Sequence, residues 1–325
     1  MRTNAKNEQI CCKKCISLIF TAYNWELNFM RHLLIYEMIE AVHRSGSIRK
    51  AAEDTNITAS ALNRRIQAFE MEFGCEIFER LPRGMRLNPA GELLLHHIRQ
   101  QKHGLARVYS QVADLSGIRR GHVKIACSQA VLPYFLPSEI AAYRAQFPDV
   151  TFSVNVRDRI QAEQDLTTFE SDLALVFEPA HMVDFEILHM VRQPVMAIMS
   201  KKHPLATRSS LRLRECLDYD LVLPANQFGV RLLLDQAATK LHRKMSPVLE
   251  TDSFDMVRHY AGFGNAIGFQ IPVGLNETLQ QDMSFVPLSE HDVSLGQLYL
   301  GHLRGRTLPV AALKFAEQIM NTLAY

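Results

Sequence analysis

The sequence predicts a multidomain α/β protein: an N-terminal winged helix-turn-helix, a long linker helix, and a C-terminal α/β domain of two lobes. Three observations carry this expectation. Short amphipathic segments with good capping residues succeed one another up to Phe73, apolar residues then repeat on a heptad after Pro89, and beyond Gly121 strand-like and helical runs alternate. A chain of 325 residues has room for two domains and a connector. No apolar run approaches the roughly 18 residues of a membrane helix.

Residues 1–29 differ in character from the rest of the chain. Cys11, Cys12 and Cys15 sit beside Lys13 and Lys14, and the run from Ile16 to Phe20 is too short for a secretory signal and lacks a small-residue cleavage site. Cys12 and Cys15 have the spacing of half a zinc site, but no second pair lies at a usual offset, so neither metal nor cofactor is expected. Only Cys127 and Cys216 come after Arg120, too few for a disulfide framework, which fits a reducing cytoplasm. The periodic pattern begins just after Met30, so we expect residues 1–29 to be an extension that is either not translated or disordered.

A helix-turn-helix is expected within residues 30–88. Leu34, Ile35, Met38, Ile39 and Val42 recur at helical intervals, and Arg44-Ser45-Gly46 ends the run. Ser47 suits the N-cap of a second, short helix, in which Ala51-Ala52 let another helix approach. Asn56 tolerates the left-handed backbone of a tight turn, and Thr58 caps a third helix with Leu62, Ile66, Phe69 and Phe73 on one stripe. With that stripe inward, Ser60, Arg64 and Gln67 project outward, with Asn63 on the flank. Arg can donate twice to a guanine, Asn or Gln can pair with an adenine, and a helix fits the major groove. An ordinary solvated polar face is the plainer alternative; the capped short helix and turn before it favour base reading.

Two short extended pieces around Leu81-Pro82-Arg83-Gly84 read as a wing, on which Arg83 and Arg86 could reach phosphates or a minor groove. Asn88-Pro89 then caps a helix over residues 89–120. Its apolar positions Leu94, Ile98, Leu105, Val108, Val112 and Leu115, with Gln101 completing the register, trace a heptad seam, so a second copy is expected to cover it.

The rest of the chain, residues 121–325, reads as two α/β lobes. Strands are expected at Val123 to Ala126, Val150 to Val156, Leu173 to Phe177, Val195 to Met199, Leu221 to Leu223, Val248 to Thr251, Ala266 to Phe269 and Gln297 to Leu300. This part carries net −4 against +4 for residues 30–120, a weak sign that only the N-terminal part meets a polyanion. An enzyme is not expected: there is no Gly-x-Ser-x-Gly, His-Glu-x-x-His or Walker phosphate loop, and Gly262-Phe263-Gly264 is too short for a dinucleotide fingerprint. A stand-alone small-molecule receptor would not need the capped helical N-terminus. An architectural DNA protein would leave the large acidic domain without use.

Ser47 through Ala51-Ala52, the helix from Thr58, Phe78-Glu79-Arg80 and Leu87-Asn88-Pro89-Ala90-Gly91 together resemble the signature of LysR-type transcriptional regulators. The resemblance continues through Gly121 to Ile125, Leu132 to Pro137, Phe147-Pro148-Asp149-Val150, His203-Pro204-Leu205-Ala206 and Gly262 to Gly268, and so covers Met30 to the C-terminus. It implies a ligand-responsive regulator that binds double-stranded promoter or operator DNA, dimerises through the linker helix and usually forms a tetramer, with RNA polymerase as a partner of an activator. Its effector domain would resemble type 2 periplasmic binding proteins. Ser47, Thr58, Ser60, Asn63, Arg64 and Gln67 would contact DNA, with Arg83 and Arg86 on the wing. Asn63, Asn88 and Thr55 depart from the family's usual Ser, Thr and Leu, and Ala59-Ser60 replaces a frequent Gln-Pro. The two Asn can still hydrogen-bond and cap, and Thr55 is tolerable if its hydroxyl bonds back to the helix. The effector, with an anion favoured by helix N-termini, would lie between the lobes near Ser128, Gln129, Ser253 and Phe254, with Phe177 and Phe228 as candidate walls.

Overall fold

The computed structural model describes residues 34–82, 84–115, 119–275 and 282–324. The expected extension at residues 1–29, with its three cysteines, and the wing residue Arg83 lie outside the described residues. The chain divides into two compact units, one up to Lys102 and one from His103.

In the first unit, helix α1 (34–45) is succeeded by α2 (Ile48–Asp54) and α3 (Ala59–Phe73), strands β1 (Phe78–Leu81) and β2 (Gly84–Leu87), and the start of α4 (Pro89–Leu115). Ile39, Val42, Ala51, Leu62, Ile66, Ile77 and Ile98 are buried in one core. Local chemistry fixes the connections. Asn56 adopts φ 53°, the left-handed turn conformation, and Thr55 Oγ1 donates back to Ala51 O at 2.7 Å. Thr58 Oγ1 accepts from Ala61 N at 3.2 Å, and Gly74 closes α3 at φ 88°. Asn88 Oδ1 accepts from Gly91 N at 2.9 Å ahead of Pro89. Three expectations need correction. Ser47 stands at the N-cap of α2 without a side-chain cap bond; Ser45 Oγ donates to its carbonyl instead, at 3.0 Å. Leu34 is exposed rather than part of the core, and so is Phe73, the last residue of the stripe expected on α3.

The wing strands pair antiparallel, Phe78 opposite Leu87 and Glu79 opposite Arg86. The hairpin is fastened to the turn between α1 and α2 by Met85 N donating to Gly46 O at 2.9 Å. Gly84 makes that approach possible, because at φ 129° a Cβ there would stand 2.4 Å from Gly46 O.

The second unit contains two five-stranded sheets. Lobe I has the order β4-β3-β5-β12-β6 and lobe II the order β11-β7-β10-β8-β9. In chain order these are β3 (Gly121–Cys127), β4 (Val150–Val156), β5 (Leu173–Phe177), β6 (Phe185–Gln193), β7 (Met196–Ser200), β8 (Asp220–Pro224), β9 (Pro247–Thr251), β10 (Ala266–Gln270), β11 (Met283–Pro287) and β12 (Gly296–Leu303). In each sheet parallel strands form one side (β4, β3 and β5; β9, β8 and β10) and antiparallel strands complete the other. Helices α5 (Phe135–Gln146), α6 (Arg159–Thr167), α7 (Leu213–Cys216), α8 (Gly229–Lys240), α9 (Phe254–Tyr260) and α10 (Val310–Leu323) connect and cover them. The chain passes from lobe I to lobe II after β6 and returns before β12, so lobe II is an insertion in lobe I.

Seven of the eight strand expectations are met within two residues at each end, which is the usual uncertainty of element ends, and the eighth, β12, runs three residues beyond its expected end at Leu300. Strands β6 and β11 lie outside those expectations. Both are sheet edges, and the faces of β6 carry exposed Glu186 and half-buried His189, so neither strand has the continuous apolar run of a central one. Helix α10 is tied to lobe I by aromatic packing: Tyr143 and Phe315 meet at 5.3 Å, Phe152 and Phe315 at 4.9 Å, and Tyr143 Oη donates to Ala311 O at 3.1 Å. Phe315 is fully buried there, so Phe315→Ala is expected to destabilise this unit by about 3–5 kcal/mol in denaturant unfolding.

Candidate functional site

Two faces carry chemistry, one in each unit. The first is the outer edge of α3. Leu62, Ile66 and Phe69 are buried, which leaves Ser60, Arg64 and Gln67 exposed on the opposite side, as the periodicity predicts. Thr58 Oγ1 and Ser60 Oγ lie 3.2 Å apart at the N-terminus of the helix. Asn63 is half-buried, and Arg80 Nη2 donates to its Oδ1 at 3.2 Å. That bond ties the flank of α3 to strand β1 and leaves the Asn63 amide group, a donor, to turn outward. The sequence places Arg80 in the Phe78-Glu79-Arg80 segment but not beside Asn63; the two are 17 residues apart and no local pattern connects them. Arg86 is exposed but not unpaired: its Nη2 donates to Glu79 Oε2 at 2.8 Å, which raises its pKa. A phosphate would have to compete with that carboxylate.

Helix α4 corrects part of the expected seam. Leu94 and Ile98 are buried in the chain's own core, against α1 and the residues around β1, and so leave the dimerisation set. Leu105 is half-buried, whereas Val108, Val112 and Leu115 are exposed at 47%, 56% and 89%. Along the same stripe, burial in the chain's own core gives way to exposure partway along the helix.

The second face lies where residues 128–134 of lobe I meet lobe II. Ser128, at the N-cap of a short turn, accepts from Ala130 N at 3.5 Å. Gln129 Oε1 accepts from Phe254 N at 2.7 Å, joining the lobes at the first residue of α9, and Ser253 Oγ accepts from Met256 N at 3.3 Å. Gly274 comes so near that a Cβ would stand 2.6 Å from Ala130 O. Arg258, one turn beyond Phe254, holds its guanidinium 5.8 Å from the Tyr134 ring centroid and pairs with Asp255. Burial lowers its pKa. Its Nη1 and the Nε2 of fully buried Gln270 are buried donors without acceptors among the described residues.

The structure thus brings Ser128, Gln129, Ser253 and Phe254 together as expected, while Phe177 is no cleft wall. It is core: a Cβ at Gly296 would fall 2.0 Å from its Cζ, and one at Gly229 2.9 Å from its Cδ1. Phe228 is also buried, edge-on to Phe254 at 5.2 Å, so it positions the start of α9. Arg258 and Gln270 are not among the residues expected from the sequence: Arg258 lies one turn past Phe254 and Gln270 two residues past Gly268, and only the tertiary packing brings them to the junction.

Burial pushes the Cys127 and Cys216 thiols up to about 12, where the thiolate is scarce. In the native protein, brief alkylation with subsequent mass mapping should modify exposed Cys75 and spare both of these; labelling of Cys127 at the Cys75 rate would show that lobe I opens readily.

A capped three-helix unit with a polar helix edge, joined to a two-lobed α/β domain with donors at its lobe junction, defines a DNA-binding regulator that responds to a small molecule. The family model described as LysR substrate binding domain matches residues 116–324, and that of the bacterial regulatory helix-turn-helix protein, lysR family, matches residues 35–92. The chain belongs to the LysR family of transcriptional regulators, which are not enzymes. It is 24% identical over 290 residues to the HTH-type transcriptional activator CmpR of Synechocystis sp. (strain ATCC 27184 / PCC 6803 / Kazusa), covering 87% of this chain and 93% of that protein. Its fold is similar to that of a full-length OxyR variant from Pseudomonas aeruginosa, with TM-score 0.68 and 18% identity over 88% of this chain and 94% of that one. It is also similar to full-length CbnR complexed with its target DNA, with TM-score 0.61 and 15% identity over 90% and 99% of the two chains. No helix among the described residues is long and apolar enough to cross a membrane.

Proposed function

We propose that this regulator, acting in the cytoplasm, reads its operator with Ser60, Arg64 and Gln67 of α3. In this reading Thr58 and Ser47 contact the backbone at the helix N-termini, Asn63 is aimed by Arg80, and Arg86 and Arg83 reach the flanking duplex. The observation that carries it is the exposed polar edge of α3 opposite buried Leu62, Ile66 and Phe69. The similar fold of CbnR, solved with its target DNA, supports the same use. We further propose that Leu105, Val108, Val112 and Leu115 pair with a second copy, placing two recognition helices in successive major grooves, and that RNA polymerase is a partner if the protein activates. Residues 30–88, 89–120 and 121–325 serve as DNA-binding, linker and effector-binding parts, after an extension at residues 1–29.

The effector is a small anion held at the lobe junction. Support comes from the donor excess there: the Phe254 N–H, whose acceptor Gln129 can be displaced, and the unsatisfied donors of Arg258 and Gln270. Occupation changes the lobe packing and so the way the paired recognition helices engage DNA. Footprinting on flanking genomic DNA, with and without small carboxylates, tests this; a footprint that no carboxylate alters speaks against an anionic effector.

For the DNA face, Arg64→Ala should weaken specific binding by about 1–3 kcal/mol while leaving affinity for random DNA nearly unchanged. Equal losses on both would make Arg64 a phosphate contact.

A further inference from the structure

At the start of the second unit, the side chain of His103 on α4 is inserted among groups of lobe I. Its Nε2 stands 2.6 Å from Phe169 O, and Arg306 Nη2 stands 2.9 Å from its Nδ1. A carbonyl only accepts and a guanidinium only donates, so Nε2 carries the proton and Nδ1 is bare. The imidazole is neutral, in one tautomer, in this arrangement. Arg306 lies in the connection between β12 and α10, and its other bonds are to Ser171 O at 3.0 Å and to Asp172 Oδ1. The Asp172 carboxylate is almost wholly buried; its Oδ2 accepts from Lys124 N at 2.9 Å, and its own N–H donates to Lys124 O at 2.8 Å. The guanidinium also lies 5.2 Å from the centroid of the Phe169 ring, a residue just after α6 with φ 59°, a left-handed backbone that an aromatic residue adopts only under local constraint.

A second proton on His103 cannot be accommodated in place. It would point an N–H at the N–H of Arg306 and put two cations on one buried carboxylate, since Asp172 Oδ1 is already 3.7 Å from Nδ1. Besides Arg306 and Asp172, the charged group that acts on the imidazole is Lys124 on β3, a further cation.

We propose that His103, Arg306 and Asp172 form a proton-sensitive clasp, closed only around a neutral imidazole, that holds the C-terminal part of α4 on the effector domain. On protonation His103 must leave or displace Arg306 from Asp172, and either exchange frees the helix at this point. Because α4 is one continuous helix from Pro89 to Leu115, the clasp makes its attachment a function of pH, whatever the effector. Burial and then Arg306 push the His103 pKa down against the opposing Phe169 carbonyl and Asp172. A base whose pKa is lower folded than unfolded stabilises the closed form above its ordinary value of 6.5, and that contribution is lost as pH falls from there through the folded value.

The test is hydrogen exchange of the full-length protein read by mass spectrometry on peptides spanning residues 100–110, corrected for intrinsic rates, from about pH 8 to about pH 5. Protection should fall by up to about tenfold per pH unit once the imidazole titrates in the clasp. His103→Gln retains one acceptor for Arg306 and one donor for Phe169 O, so its protection should stay flat. The same slope in both proteins overturns the proposal. Should the variant fail to fold, exchange at the imidazole C2 position of the native protein decides the matter: a His103 midpoint below 6.5 supports the clasp, and one at or above 6.5 overturns it.

Discussion

Leu62, Ile66 and Phe69 have only one place to go, and that constraint decides which edge of α3 faces outward. Each is buried against α1, α2 and the residues around β1, and burial of such side chains is worth about 1.5–3 kcal/mol apiece. A rotation of α3 about its axis would expose all three and bury Arg64 without a partner, so the polar edge faces outward as a result of core packing. Ala51 and Ala52 contribute by having almost no side chain, which lets α2 lie close to α3. The wing is held by the same logic: Gly84 permits a backbone contact with Gly46 that no other residue could make unstrained.

In the second unit the polar groups do the positioning. The lobe junction and the attachment of α4 both rest on buried donors meeting a small number of acceptors. At Asp172 the balance is complete, with Arg306 and the Lys124 N–H facing one carboxylate. At the junction it is incomplete, with Arg258 Nη1 and Gln270 Nε2 left over. A satisfied network rigidifies, whereas each unsatisfied buried donor carries a desolvation cost. In the proposed clasp the Asp172 balance holds only while the His103 imidazole is neutral, and the junction carries donors to spare.

The parts legible in the sequence are those fixed by neighbours a few residues apart. The Thr58 and Asn88 caps, the left-handed Asn56 and the back-bonded Thr55 hydroxyl each involve partners within four positions. Strands β3 and β5 are legible because they are covered on both faces. The features that escape are tertiary. A 3.5-residue period shows that a stripe will be covered, and it does not say whether the cover is the same chain, as at Leu94 and Ile98, or another. Phe177 reads as a cleft wall because nothing near it in sequence announces Gly229 and Gly296 as its neighbours. Arg306 reaches His103 across 203 positions, and α4 alone gives no hint of it.

The insertion of lobe II into lobe I also imposes an order of events during synthesis. Strand β5 emerges early, yet its partner β12 leaves the ribosome only after all of lobe II, about 120 residues later. Until then β5 has an open edge, while lobe II, continuous from β7 to β11, can already close its own sheet. The second lobe in the sequence is therefore the first that can finish, and the apolar run from Leu173 to Phe177 keeps an unpaired edge until the C-terminal part is made.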